Sequence, residues 1–121
     1  MNNKDEVTRA QLEDISPALS KLTGLETSGK VAGVILTTKG EDEEHNFISR
    51  FFAPWLGVAE DPVTGSAHTV LAPYWSRELG LSTMQTRQCS PRGGELEVSV
   101  SGERVEVAGK SIIVMEGYLT I

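Results

Sequence analysis

One stretch of this chain constrains its fold more than any other. Ser66 to Leu79 reads as a single long helix, opened by Gly65 and Ser66 and stopped at its C-terminus by Gly80. Ala67, Val70, Leu71, Ala72, Tyr74, Trp75 and Leu79 cover more than one of its faces. A helix apolar nearly all round must be buried on most sides, so the rest of the chain has to wrap it. Pro73 lies in its interior, where a proline removes a hydrogen bond and costs on the order of 3 kcal/mol. A bend is expected there.

The segments available for wrapping are patterned mostly as strands. Val31 to Thr38 is β-branched and apolar, and Asn46 to Ala53 is aromatic-rich with imperfect alternation. Met84 to Cys89 is a third strand. Leu96, Val98 and Val100 alternate with Glu95, Glu97 and Ser99, the period of a half-buried strand. A hairpin turn at Ser101 to Arg104, around Gly102, leads to Val105 and Val107. A second turn is expected at Ala108 to Lys110, then a last long strand from Ser111 to Ile121, weakened at Gly117. Ahead of the strands, Thr8 to Leu25 reads as two short helical pieces. Ser16 and Pro17 are placed to open the second, with Ala18, Leu19, Leu22 and Leu25 as its buried stripe. With 121 residues this is one domain, of class α+β: mostly antiparallel strands folded around one central helix.

Charge narrows the partners. The net charge is −6, and Arg50, Arg77, Arg87, Arg92 and Arg104 form no run. Binding to a nucleic-acid backbone needs a basic patch that displaces counterions, so nucleic acid is excluded, and an anionic membrane surface with it. The longest apolar runs, Val31 to Leu36 and Ile112 to Met115, fall far short of the roughly 18 residues of a membrane span. Met1 to Val7 is polar and mixed in charge, unlike a signal peptide. Cys89 is the sole cysteine, which fits a reducing compartment. The expected location is the cytoplasm. The acidic loop Gly40 to Glu44 is expected to face water, with His45 solvated beside it, and two lone histidines do not make a metal site.

The stretch with chemical interest is Gly57-Val58-Ala59-Glu60-Asp61-Pro62-Val63-Thr64-Gly65-Ser66-Ala67-His68. A strand ends, a loop marked by glycine and proline follows, and the long helix begins. The first N–H groups of a helix have no internal partner, and the helix dipole adds positive potential there. Those of Gly65, Ser66 and Ala67 therefore form a candidate site for a carboxylate or phosphate. Asp61 lies on the same loop, a candidate proton-transfer group beside such a ligand. The plainer reading is a turn opened by Asp-Pro and a helix capped by Ser or Thr, with His68 a local hydrogen-bonding residue. On these residues alone both readings stand.

The run Ser49-Arg50-Phe51-Phe52-Ala53-Pro54, the segment from Gly57 to His68, Leu71-Ala72-Pro73-Tyr74-Trp75, and Gln88-Cys89-Ser90-Pro91-Arg92-Gly93-Gly94-Glu95-Leu96 together closely resemble the phenazine-biosynthesis-like (PhzF-type) isomerase family. The animal-type members are the nearest in character, and the likeness runs from about Asp5 to Ile121. It implies the diaminopimelate epimerase-like fold: two similar domains, each a curved sheet around a central helix, with the active site between them. It also implies chemistry without metal or organic cofactor. The phenazine member isomerises a dihydro-hydroxyanthranilate by moving a proton across a conjugated system. The epimerases place a cysteine on each of two related loops, and the position matching one of them here is Asp61. By resemblance Asp61 is catalytic, and Thr64, Gly65, Ser66, Ala67 and His68 bind a small carboxylate-bearing substrate. The family's glutamate, in a Ser-Glu-Thr-Ala-type stretch, and its Gly-His-Ala-Thr loop both belong to the N-terminal domain, and neither occurs in this sequence. Glu60 and Glu95 are not assumed to replace that glutamate. The resemblance thus makes the chain the C-terminal half, less than half of a typical member, whose partner is an N-terminal domain or a second copy. Two functions follow: an isomerase half that needs the other half, or a non-catalytic interaction module retaining the fold.

Overall fold

The computed structural model describes residues 7–25 and 28–121. Two short helices come first, α1 (Arg9–Asp14) and α2 (Leu19–Leu25). Thr8 opens α1 with a capping box: its Oγ1 accepts from the Gln11 N–H at 3.1 Å, and Gln11 Oε1 accepts from the Thr8 N–H at 2.9 Å. Five strands then build one sheet in sequential order: β1 (Val34–Lys39), β2 (Phe47–Phe52), β3 (Thr83–Gln88), β4 (Gly94–Ser101) and β5 (Arg104–Gly109). The long helix α3 (Gly65–Leu79) connects β2 to β3, and these two strands are parallel, as a crossover requires. Every other neighbouring pair is antiparallel.

Helix α3 packs on one face of the sheet. Ala67, Leu71, Ala72 and Trp75 form the main core with Phe47, Met84 and Val98. Trp75 stacks on Phe47 at 5.8 Å between ring centroids, and its Nε1 donates to Thr37 Oγ1 at 2.9 Å. The ring is thus buried and its single donor satisfied, the condition for placing an indole in a core. Helix α1 covers the opposite face, with Leu12 against Ile48 and Cys89. Gly80, at φ 68°, ends α3 in the left-handed conformation. The helix is continuous across Pro73, and Thr69, whose carbonyl a proline cannot satisfy, is exposed.

Four expectations are corrected. Helix α3 is buried on one face only; Val70, on the other side, is 64% exposed and Tyr74 is exposed too, because five strands cover a single side. Helix α2 begins at Leu19, two residues after Pro17, and buries no residue; Leu25 is 84% exposed. It packs against the 3₁₀ turn Pro54–Leu56, whose Leu56 is itself 66% exposed. The turn expected at Ala108 to Lys110 is absent: β5 runs straight to Gly109, which pairs with Leu96. Ser111 to Ile121 forms no strand and is exposed throughout. Its composition favours β structure, yet it pairs with neither edge strand of the described sheet, β1 or β5.

Candidate active site

The segment between β2 and α3 is pinned at each step. Ala53 and Val58 exchange both backbone hydrogen bonds at 3.1 Å, closing the 3₁₀ turn between them. The Asp61 N–H then donates to the Phe51 carbonyl at 3.0 Å, tying the loop to the end of β2. Beneath the loop lies Gln88, the last residue of β3, fully buried. Its Oε1 accepts from the Thr64 N–H at 2.7 Å, and its Nε2 donates to the Asp61 carbonyl at 2.8 Å and to Thr64 Oγ1 at 2.9 Å. One carboxamide therefore uses both its donors and its oxygen to set Asp61 and Thr64 relative to each other. Ser90 adds a bond from its Oγ to the Pro62 carbonyl at 2.9 Å. Gly94 completes the cradle: a Cβ there would lie 1.9 Å from Val63 Cγ2, so only glycine lets the loop sit this close to β4.

The start of α3 departs from ordinary capping. Thr64 occupies the cap position, but its side chain makes no capping bond. Its hydroxyl donates instead to Asp61 Oδ2. Among the described residues nothing accepts from the N–H groups of Gly65 and Ser66, and both residues are exposed. A Cβ built on Gly65 would meet nothing within 4 Å. The helix thus presents unpaired donors, with their share of the macrodipole, to open space beside the Asp61 carboxylate. Asp61 Oδ1 accepts no bond from the described residues, so one oxygen is fixed and the other is free.

Of the residues the resemblance assigns, the structure brings Asp61, Thr64, Gly65 and Ser66 together and turns the side chains of Ala67 and His68 inward. His68 is fully buried, its Nδ1 donating to the Thr64 carbonyl at 2.7 Å. Burial pushes its pKa below the ordinary value, against a smaller opposing effect of that bond. The ring is a neutral lock on the first turn of α3, and its other nitrogen is buried without a partner. The plainer reading of this residue as a local hydrogen-bonding group matches that geometry.

Neither candidate glutamate is available. Glu60 is clamped by Arg50 in a two-pronged pair, both contacts 2.8 Å, with both side chains largely buried. The same guanidinium donates to the carbonyls of Leu12 and Ile15 at 3.0 and 2.7 Å and lies 4.7 Å over the Phe52 ring. The Glu60 hydrogen bond raises the already high pKa of Arg50, so the guanidinium keeps its charge and the pair is structural. Glu95 is engaged by His45, whose Nε2 lies 3.0 Å away. His45 is buried, not solvated as its acidic neighbours suggested: Asp42 Oδ1 accepts from its N–H at 2.8 Å and folds the loop over the ring. Cys89 sits on the α1 side of the sheet, and burial raises its thiol pKa, which suits packing rather than nucleophilic work. Arg92 is exposed in the turn beside Gly93 (φ 73°), whose N–H donates to Ser90 Oγ, so this turn serves the loop support. Among the described residues no three His, Cys, Asp or Glu side chains cluster to hold a metal, and no helix is long and apolar enough to cross a membrane.

Reasoning from the sequence placed the loop and missed what holds it. Gln88 and Ser90 stand inside the quoted motif without an assigned role. The signal was present: Met84, Thr86 and Gln88 share the inward face of β3, and a glutamine at a core position needs polar partners.

Comparison with known proteins places this geometry. The family described as phenazine biosynthesis-like protein matches residues 7–117. A Rattus norvegicus phenazine biosynthesis-like domain-containing protein is 50% identical over 121 residues, covering 96% of this chain and 42% of that protein. A Pseudomonas aeruginosa protein described as an uncharacterized isomerase is 49% identical over 89 residues, 74% of this chain and 33% of its own length. The crystal structure of an Enterococcus faecalis PhzF family protein superimposes with a TM-score of 0.81 at 38% identity, covering 93% of this chain and 42% of that one. This chain therefore spans less than half the length of the curated relatives it matches. The α+β sheet with its helix is a diaminopimelate epimerase-like domain, and a match over nearly the whole described chain leaves one assignment: this chain belongs to the phenazine biosynthesis-like (PhzC/PhzF) family.

Proposed function

We propose that this chain is the C-terminal catalytic half of a cofactor-independent isomerase that moves a proton on a small carboxylate-bearing substrate. The observation that carries the reading is the diverted cap. Thr64 gives its hydroxyl to Asp61 rather than to the helix, so the Gly65 and Ser66 N–H groups stay open for an anion. The substrate carboxylate would sit on these donors and the Ala67 N–H, with the Ser66 hydroxyl beside it. That placement holds the carbon to be protonated or deprotonated near the free oxygen of Asp61. Moving a proton needs a donor and an acceptor on one substrate, within hydrogen-bond reach. Asp61 supplies one; Glu60 and Glu95 are committed elsewhere, so the second comes from an N-terminal domain that also closes the site to water. The family's isomerase-named bacterial relatives support the reaction class, and a cytoplasmic location fits a soluble small-molecule substrate.

The test has two arms. In the first, acetate or phosphate is titrated into the chain while the Gly65 and Ser66 amides are followed by NMR; saturable shifts are expected. In the second, isomerisation of a dihydroaromatic amino acid is assayed with the chain alone, with a family N-terminal domain added, and with Asp61→Asn in place of the native chain. Turnover is expected only in the mixture, and Asp61→Asn abolishes it. Silent amides would remove the anion site. Anion binding without turnover in any mixture would leave the non-catalytic interaction module as the function.

A further inference from the structure

Among the described residues, His68 Nε2 and Thr86 Oγ1 are buried side-chain atoms without a hydrogen-bond partner, and both residues are 0% exposed. Native cores rarely strand polar atoms, so two in one core ask for a common cause.

The fold brings them to the same level. Helix α3 returns antiparallel over β3, as a crossover must, and Thr64 at its start is bonded to Gln88 at the end of that strand. One turn along α3, from Thr64 to His68, is about 6 Å. Two residues back along β3, from Gln88 to Thr86, is about 6.6 Å. The two steps end opposite each other, and one step further Ala72 and Met84 meet in the core. Phe47 marks the same level from both sides: its ring centroid lies 6.2 Å from that of His68, and it is the strand partner of Thr86.

The chemistry of the two atoms is complementary. A carbonyl cannot donate, so the Thr64 oxygen, 2.7 Å from Nδ1, requires the proton on Nδ1. Burial keeps the ring neutral, which leaves Nε2 as an acceptor in need of a donor. Phe47 beside the ring, and Leu71 and Ala72 one turn on, carry none. Both amide protons of Gln88 are committed to Asp61 and Thr64. The hydroxyl of Thr86 is uncommitted.

We infer that Thr86 is a positioning residue of the candidate site: its hydroxyl provides the hydrogen bond that His68 Nε2 accepts. The link is made directly after a turn about χ1, or through one internal water held between the two. A bond accepted at Nε2 polarises the imidazole and strengthens the bond that Nδ1–H gives to Thr64. Thr64 is then held at both backbone groups from the inward side of β3, its N–H by Gln88 and its carbonyl by Thr86 acting through His68. The inference rests on the reading of the Gly65 and Ser66 donors as an anion site, and it names what steadies the residue ahead of them.

The experiment compares the ¹⁵N-labelled native chain with Thr86→Val, Thr86→Ser and Ser49→Ala, the last a buried hydroxyl level with Gln88. In Thr86→Val the His68 Nε2 resonance should move downfield, toward that of an imine nitrogen without a bond. The Nδ1 proton should move upfield and exchange faster. Acetate should shift the Gly65 and Ser66 amides with an affinity about three- to tenfold weaker. Thr86→Ser should restore all three readings, and Ser49→Ala should leave the ring resonances unmoved. In the native chain a slowly exchanging Thr86 hydroxyl proton should show a nuclear Overhauser effect to the His68 ring if the bond is direct. A long-lived water should show one, lost in Thr86→Val, if it is bridged. Ring resonances unchanged in Thr86→Val overturn the inference. So does a ring-bound water that survives that substitution, or a ring that responds to Ser49→Ala instead. Should Thr86→Val fail to fold, the native chain still decides: neither effect at the ring is the refuting result. A native chain without any anion response, whose His68 ring still depends on Thr86, would sink the anion site and leave the hydrogen bond standing.

Discussion

Replacing Gln88 with Leu tests whether one buried carboxamide sets the geometry of the candidate site. The shapes are close, so packing changes little and the loss is almost entirely polar. The Thr64 N–H loses its acceptor inside the protein, and a buried orphan donor costs about 1–3 kcal/mol. Thr64 Oγ1 keeps Asp61 as acceptor and loses one incoming bond, worth about 1 kcal/mol net. The Asp61 carbonyl is half-buried and regains a water, so its loss is under about 1 kcal/mol. The sum is about 2–5 kcal/mol, against a total of roughly 6–18 kcal/mol for a domain of this size. The variant should therefore fold, with its urea midpoint lowered and its m-value unchanged. The same change at Gln85, exposed on the other face of β3 and bonded to Glu97 at 2.7 Å, should stay within about 0.5 kcal/mol. The second readout is functional: with the loop released, the Gly65 and Ser66 amides should lose most of their anion response. A Gln88→Leu protein as stable as the Gln85→Leu control, with its anion response intact, would refute the reasoning.

Three further outcomes are expected. Leu71→Ala, in the middle of the α3 core, should destabilise by about 2–5 kcal/mol; an unchanged melting temperature would contradict that placement. Arg50→Leu should cost about 3–5 kcal/mol by stranding Glu60, and Arg50→Leu with Glu60→Leu should recover most of it in urea titrations; a double variant no better than the single would show that the pair is not the cause. Burial lowers the pKa of His68 in the folded state, so the unfolded chain takes up that proton first: stability is full above the ordinary value of 6.5 and declines as pH falls below it. Comparing native chain and His68→Gln by thermal melts from pH 7.5 to 5 should show a shallower decline in the variant, and parallel curves would refute the assignment.

Much of the fold was legible because its signals are local. Alternation along Leu96, Val98 and Val100 names an inward face without knowledge of what lies opposite, and Gly102 marks a turn wherever the strands go. Gly80 ended α3 where its lack of a side chain predicted. The failures needed information from beyond the segment. The apolar residues of α2 look like a buried stripe, but burial requires a surface to meet, and where α2 packs against the 3₁₀ turn none of its residues is buried. Val70 and Tyr74 have core composition and no covering layer. Ser111 to Ile121 has strand composition and pairs with none of the described strands. His45 departs from expectation for the converse reason: its neighbours are acidic and exposed, while its ring is buried and its Nε2 is held by Glu95, fifty residues away.

The site was half legible for a related reason. A cap and an anion cradle use the same residue types at the same helix position, so sequence alone leaves Thr64 with two readings. What separates them is where its hydroxyl points, and that is settled by Gln88, twenty-four residues on. A capping threonine stabilises a helix by about 1 kcal/mol, and here that contribution is forgone. The structure offsets it nearby with the Arg50–Glu60 clamp, the Ser90 bond and the close fit of Val63 on Gly94. A local rule broken and compensated within one loop is the pattern expected where backbone donors are kept for a ligand. Had Thr64 capped α3, Asp61 would have lost its fixed oxygen and the helix end its free donors in the same move. The two candidate functions of the loop, holding an anion and presenting a carboxylate beside it, therefore depend on a single side-chain rotation.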